Sequence, residues 1–163
     1  MTDETPRPIV LGPGEGHPLW HLGALMNFKA TTEETGGRFW ALEGHADRHM
    51  AVPLHSHAAD DEIWFVADGE IAFRAGDQDF VRGPGSFVWI PAGVAHTFKI
   101  QSPTARWFGI GLPGGLDRWF FETGVPAGAL TLPPPAGPPS DADVAALVAS
   151  LQRYGTDTLG PPM

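Results

Sequence analysis

Four side chains with metal-ligating chemistry stand in two short blocks. The first reads His55-Ser56-His57, four residues, Glu62, six residues, Gly69; the second reads Gly85, five residues, Pro91-Ala92-Gly93, two residues, His96. Three imidazoles and one carboxylate suit a borderline first-row divalent ion (Fe, Mn, Ni, Co or Zn) and leave coordination positions open. Residues two apart on a strand face the same way, so His55 and His57 present adjacent imidazoles. Glu62 lies five positions beyond His57, an odd offset, and shares that face only if residues 58–61 form a bulge or corner. His96 must arrive from a partner strand. The expected site is one divalent transition metal per chain on His55, His57, Glu62 and His96.

Positioning such a set requires strands. Residues 20–30 read as a strand pair, or as one strand broken at Gly23, and 31–37 as a polar turn. Residues 38–43 read as a strand, 49–54 lead into the first block, and 62–66 (Glu-Ile-Trp-Phe-Val) are strongly strand-like. Ala67-Asp68-Gly69-Glu70 carries a hairpin-turn signal. A strand follows at 71–74, a second turn at Gly76-Asp77, a short strand at 80–81 and a tight corner at 82–85. Residues 87–90, 96–101 and 105–110 continue the series. Regular short strands separated by turns predict an all-β fold, a closed antiparallel barrel or a sandwich, rather than alternating βα units.

The C-terminal part differs in character. Residues 116–123 predict a short helix, and 132–139 a Pro-rich linker. Ser140 suits the N-cap of a second helix reaching about residue 154, with Val144, Leu147, Val148 and Leu151 as its apolar stripe. That helix is expected on the barrel exterior or against a second subunit. The chain thus reads as one domain, 1–163, with an arm (1–20), a barrel core (about 21–112) and C-terminal helices with their linker (113–163).

Composition supports this and removes several functions. With 163 residues the chain can bury a core without staples, and 21 Gly and 17 Pro are too many for a mainly helical protein. A net charge of -9 with no basic cluster argues against nucleic acid and against anionic membrane surfaces. No apolar run approaches the ~20 residues of a membrane-spanning helix. The acidic start Met1-Thr2-Asp3-Glu4 lacks the features of a signal peptide, and there is no cysteine, so a cytoplasmic protein is expected.

Alternation sketches the pocket. If Glu62 faces inward, so do Trp64 and Val66; if His96 does, so do Phe98 and Ile100. Met50, Phe73, Phe28 and Trp40 are further lining candidates, and apolar walls around one metal suit a flat aromatic or polyketide-like ligand. His49 reads as a turn or surface residue, and His17, His21 and His45 are expected to face solvent. Asp60-Asp61 reads as a solvated turn.

The two blocks resemble the motifs of the cupin superfamily, G-x5-H-x-H-x3,4-E-x6-G and G-x5-P-x-G-x2-H-x3-N. His49 stands where the first motif has its leading Gly, and Ile100 where the second has its closing Asn. Fifteen residues, 70–84, separate the blocks, a gap similar to that of compact microbial single-domain cupins. Gly14-Glu15-Gly16, Trp20, Leu22-Gly23, Phe28-Lys29-Ala30-Thr31 and Thr35-Gly36-Gly37 look like the arm of small bacterial quercetin 2,3-dioxygenase-like cupins. The run from Pro113 to Phe121, Arg153-Tyr154-Gly155 and Leu159-Gly160-Pro161-Pro162 are similar as well. The resemblance implies a double-stranded β-helix, a metal held by the four residues above, and Glu62 doubling as the base that takes a substrate hydroxyl proton. It also implies a homodimer, a small-molecule substrate and dioxygen as partners. The leading expectation is a metal-dependent dioxygenase acting on a flavonol or similar enolisable aromatic. A non-redox metal cupin (isomerase, cyclase, lyase or dehydratase) and a binding cupin without turnover share the same ligands.

Overall fold

Turn residues decide where this chain reverses within a sheet and where it crosses to another. The computed structural model describes residues 7–135, 137 and 140–163; residues 1–6 of the expected arm and 136, 138 and 139 of the expected linker lie outside the described residues. In chain order the strands are β1 (His17–His21), β2 (Ala24–Ala30), β3 (Trp40–Asp47), β4 (Leu54–His57), β5 (Asp61–Asp68) and β6 (Ile71–Ala75). They continue with β7 (Gln78–Arg82), β8 (Phe87–Ile90), β9 (His96–Ile100) and β10 (Thr104–Leu112). Helix α1 (Asp117–Thr123), β11 (Val125–Pro126), α2 (Asp141–Gln152) and β12 (Thr156–Gly160) complete the chain.

The strands form two antiparallel sheets. One has the order β11-β1-β2-β3-β10-β5-β8, the other β12-β4-β9-β6-β7. This is the expected all-β double-stranded β-helix arrangement, with both α-helices near the C-terminal end. Leu22-Gly23 closes the β1–β2 hairpin, with His21 opposite Ala24, and Gly76-Asp77 closes β6–β7, with Ala75 opposite Gln78.

One turn behaves differently from its expected hairpin. Residues 67–70 do not join paired strands: β5 pairs with β10 and β8, whereas β6 pairs with β7 and β9. The chain turns a corner there and changes sheet. Gly69 is needed for the crossing, since its φ is +73° and a Cβ would lie 2.2 Å from the Thr104 carbonyl and 2.6 Å from Ser102 Oγ. The corner at 82–85 likewise carries the chain from β7 to β8, and residues 58–60 carry it from β4 to β5.

The inner faces of the two sheets interdigitate. Phe28, Phe73, Ile71 and Val66 are fully buried. Trp64 stacks on Trp107 at 5.4 Å and meets Phe98 edge-on at 4.5 Å, geometries that aromatic quadrupoles favour.

The C-terminal third departs most from expectation. Residues 156–160 were not read as a strand, yet β12 pairs with β4. Helix α2 has the expected N-cap: Ser140 and Asp143 form a reciprocal capping box that satisfies two otherwise unpaired N–H groups. Through its stripe α2 packs on the barrel, Leu147 and Leu151 against the core and Val144 43% exposed. Val144, Leu147, Val148 and Leu151 line a cavity at the barrel mouth. A serine explains the placement: Trp119 Nε1 of α1 donates to Ser150 Oγ at 2.7 Å, and that hydroxyl donates to the Leu147 carbonyl.

Candidate metal centre and its cavity

The corner at residues 58–60 resolves the odd offset of Glu62. His55 and His57 lie on β4 and His96 on β9 of the five-stranded sheet, with His55 directly opposite His96. Glu62 lies on β5 of the other sheet and faces them across the barrel, so the side-chain parity restarts at the crossing. One ligand atom from each of the three histidines lies within 4.8 Å of the others. The Glu62 carboxylate approaches His57 Nε2 at 3.3 Å and His96 Nε2 at 3.4 Å. The two blocks are tied by backbone as well, Gly93 N–H donating to the His57 carbonyl at 2.8 Å.

Each imidazole is oriented through its other nitrogen. His55 Nδ1 lies 2.8 Å from the Pro53 carbonyl and His96 Nδ1 2.9 Å from the Val94 carbonyl. A carbonyl only accepts, so both Nδ1 atoms carry hydrogen, and in the neutral rings Nε2 keeps a bare lone pair. His57 Nδ1 lies 2.8 Å from Thr156 Oγ1 on β12. Trp64 Nε1 donates to Glu62 Oε2 at 3.3 Å.

The electrostatics follow from burial and these contacts. Burial lowers His55 to about 4, with the neighbouring His96 adding to the effect. Burial opposes charge on His96, but its contact with Glu62 outweighs that and raises it. Glu62 shows the complement: burial favours the neutral acid, while His57 and His96 hold the carboxyl well below its usual range. Near neutral pH the site therefore offers an ionised carboxylate beside oriented imidazoles.

The side chains fit a divalent ion. Nε2 of His57 and of His96 are buried and make no well-aligned hydrogen bond among the described residues, although both lie near the same carboxylate. Buried polar atoms normally find partners. Two unpaired nitrogens and an anionic oxygen converging with Nε2 of His55 match the donors of a first-row ion.

A cavity of about 150 Å³ opens onto this cluster. Of the expected lining residues, Trp64, Phe98, Met50 and Trp40 line it. Ile100, Phe73 and Phe28 do not; they are 3%, 1% and 0% exposed and pack in the core. Inward direction alone does not distinguish a wall residue from one buried deeper in the same layer. The reading from sequence missed Trp107, Trp119, Phe120, Leu116, His21 and the α2 stripe.

Two other expectations need correction. His21 does not face solvent: it is 4% exposed, enclosed by Trp119 and Phe120 of α1, about a hundred positions away. Asp61 is more than a solvated turn residue, because its carboxylate accepts from Ala92 N–H at 2.9 Å and Trp89 Nε1 at 3.1 Å. It thereby fastens the second block to the start of β5. His17 and His49 are exposed, and His45 is partly buried.

This fold and donor set define a class. A Cupin domain model matches residues 46–110, the stretch that holds all four candidate ligands. Residues 46–110 are thus a cupin domain. A quercetin 2,3-dioxygenase of Bacillus subtilis is 25% identical over 119 residues, which is 73% of this chain and 35% of that protein. A quercetin 2,3-dioxygenase of Aspergillus japonicus is 27% identical over 110 residues, 63% of this chain and 31% of that one. This chain thus spans about a third of the length of these two curated relatives. An uncharacterized protein of Streptomyces coelicolor is 34% identical over 70 residues, 37% of this chain and 67% of the other. Among solved structures, KdgF from Halomonas sp. superposes with a TM-score of 0.55 at 19% identity, covering 63% of this chain and 91% of its own. A putative sugar phosphate isomerase from Acidithiobacillus ferrooxidans gives 0.51 at 19% identity, covering 64% and 74%. These two share the fold.

Proposed function

We propose that this chain is a metal-dependent cupin oxidoreductase that directs dioxygen to a flavonol or a similar enolisable aromatic. The observation that carries the reading is a cavity walled by indole and phenyl rings whose charged chemistry is concentrated in the His55, His57, Glu62 and His96 cluster. Similarity to quercetin 2,3-dioxygenases over about two thirds of the chain supports the reaction class. His55, His57, His96 and Glu62 would hold one divalent ion, which would supply a docking point for a substrate oxygen and, if redox-active, a route for electrons to dioxygen.

The residues of the chain do the rest. The Pro53 and Val94 carbonyls and Thr156 Oγ1 hold the three imidazoles in place. Glu62, ionised and steered by Trp64 Nε1, takes the proton of the substrate hydroxyl. Trp64, Phe98 and Trp107 line the cavity with apolar rings that disfavour water. At about 150 Å³ the cavity lies below the ~300 Å³ typical of sites for drug-sized ligands, so a flavonol enters as its walls give way.

The test combines metal analysis with an oxygen electrode. A redox-capable metal with oxygen uptake upon adding flavonol supports the proposal. Zinc with anaerobic turnover would replace it with a Lewis-acid isomerase, cyclase, lyase or dehydratase. Ligand binding without turnover would replace it with a binding cupin.

The assembled state is read as a homodimer. Phe65, Phe87 and Trp89 are 46%, 63% and 56% exposed on adjacent strands β5 and β8, and β8 is an edge of its sheet. An apolar patch on an unpaired edge is a surface that a second copy covers.

A further inference from the structure

We infer that His21 is a specificity residue of the cavity, its bare Nδ1 accepting a hydrogen bond from a hydroxyl group of an aromatic ligand. The inference rests on the reading that the cavity takes an aromatic ligand, and not on oxygen chemistry.

The hydrogen-bond chain around His21 fixes its tautomer. Thr123 Oγ1 donates its one hydrogen to the Trp119 carbonyl at 2.7 Å. The same oxygen lies 2.9 Å from His21 Nε2, where it has only lone pairs left to offer. Nε2 therefore carries the ring hydrogen, and Nδ1 is an acceptor. Burial keeps the ring neutral near pH 7, lowering it to about 4.

That acceptor is orphaned. His21 is 4% exposed, lines the cavity, and its Nδ1 is buried with no hydrogen-bond partner among the described residues. The Nε2–Cδ2 edge faces the end of α1, with Thr123 on Nε2 and the Cβ position of Gly124 3.5 Å from Cδ2. The Nδ1 edge is therefore turned away from α1's end. Trp119 and Phe120 hold the ring edge-to-face at 4.6 and 5.1 Å, so it is not free to rotate in search of a partner. An unpaired buried acceptor is unfavourable, and a ligand hydroxyl relieves it.

A donor stands in the same wall. Trp40 Nε1 is buried without a partner among the described residues, the indole lines the cavity, and it also packs on Phe120, at 6.1 Å. Its place depends on Gly111, where a Cβ would fall 2.3 Å from the indole. Apart from the His–Glu cluster and the threonines of β12, the walls are apolar, and an orphaned acceptor and an orphaned donor set in them match an aromatic bearing oxygen substituents. The ligand class is a hydroxylated aromatic, with its hydroxyl on His21.

The test uses small probes on metal-free protein. Calorimetry with p-cresol and toluene should show p-cresol bound about tenfold tighter by the wild type. His21→Phe should bring the two affinities together, and His21→Asn, which keeps a polar atom near the position of Nδ1, should restore much of the preference. Equal affinities in the wild type, or a preference that survives His21→Phe, would overturn the inference. Nitrogen NMR of the wild type with labelled histidine needs no variant to fold. An unprotonated Nδ1 whose resonance moves with p-cresol and not with toluene supports the inference; a protonated Nδ1 overturns it. Absence of oxygen uptake with flavonols would sink the oxygenase reading and leave the p-cresol preference standing, so the two failures are distinguishable.

Discussion

The barrel segment that carries the candidate ligands and the C-terminal third that covers them meet at one cavity by different physics. In the barrel, histidines and glutamate are aimed by strand parity and by four sheet crossings within about 40 residues. In the C-terminal third, position comes from single contacts made over long sequence separations: Trp119 on Ser150, Thr123 on His21 and Thr156 on His57. The reactive groups are thus placed locally, and His55 and His96 are oriented locally as well, whereas His57 and His21 are held from afar.

Five experiments sharpen or break that contrast. The largest effect is expected within the barrel. His96→Ala should remove most bound metal, because His96 is the one candidate ligand supplied by the second block, while circular dichroism should show the fold retained. Glu62→Gln should keep more metal than His96→Ala and lose turnover; full activity in that variant would remove only the base role.

Packing comes next. Phe73→Ala, in the core at 1% exposure, should cost about 3–5 kcal/mol in urea unfolding. Leu147→Ala on α2, partly exposed, should cost about 1 kcal/mol yet alter affinity for cavity ligands. Equal costs would show that α2 belongs to the same cooperative core.

The third effect is acid sensitivity. Folded His21 stays neutral down to about pH 4, whereas the unfolded chain takes up its proton near 6.5. The unfolded state therefore binds more protons in that window, and stability falls as the pH drops from 6.5 toward 4, by up to about 3 kcal/mol from this residue. His55 acts with the same sign. His96, raised, acts oppositely: its contribution is present at low pH and is lost as the pH climbs through its folded value. Urea titrations of metal-free protein at stepped pH should show the loss, and His21→Phe should reduce it.

Fourth, Thr156→Val should weaken metal affinity about tenfold, as losses of ligand-orienting partners do, with little change in fold. No change would mean that the tail merely covers the site. The smallest effect concerns the edge patch. Phe65→Glu with Phe87→Glu, exposed cross-strand partners, should convert a dimer to a monomer by light scattering, leaving metal content unchanged.

Legibility in the sequence divides along the same line. The β content, the two helices and the parity of His55 and His57 followed from local pattern, and the odd offset of Glu62 already required a corner. That Asp68-Gly69 marks a sheet crossing was not legible, because a Gly-containing turn reads alike whether the next strand pairs with the last or leaves it. Thr156-Asp157-Thr158-Leu159-Gly160 has too little apolar alternation to announce a strand, and its pairing is supplied by β4 about a hundred positions earlier. His21 looked like a surface residue beside Leu22-Gly23, since its burial is imposed by Trp119 and Phe120.

Four of the six tryptophans, Trp40, Trp64, Trp107 and Trp119, line the cavity. The intrinsic ultraviolet emission of the protein therefore originates largely around the site itself. An open-shell ion or a flavonol that absorbs in the near ultraviolet will quench that light on arrival, whereas a closed-shell ion such as zinc will leave it bright. Filling of the cavity is thus visible in real time without a label, and the degree of quenching separates the two families of metal before any reaction is run.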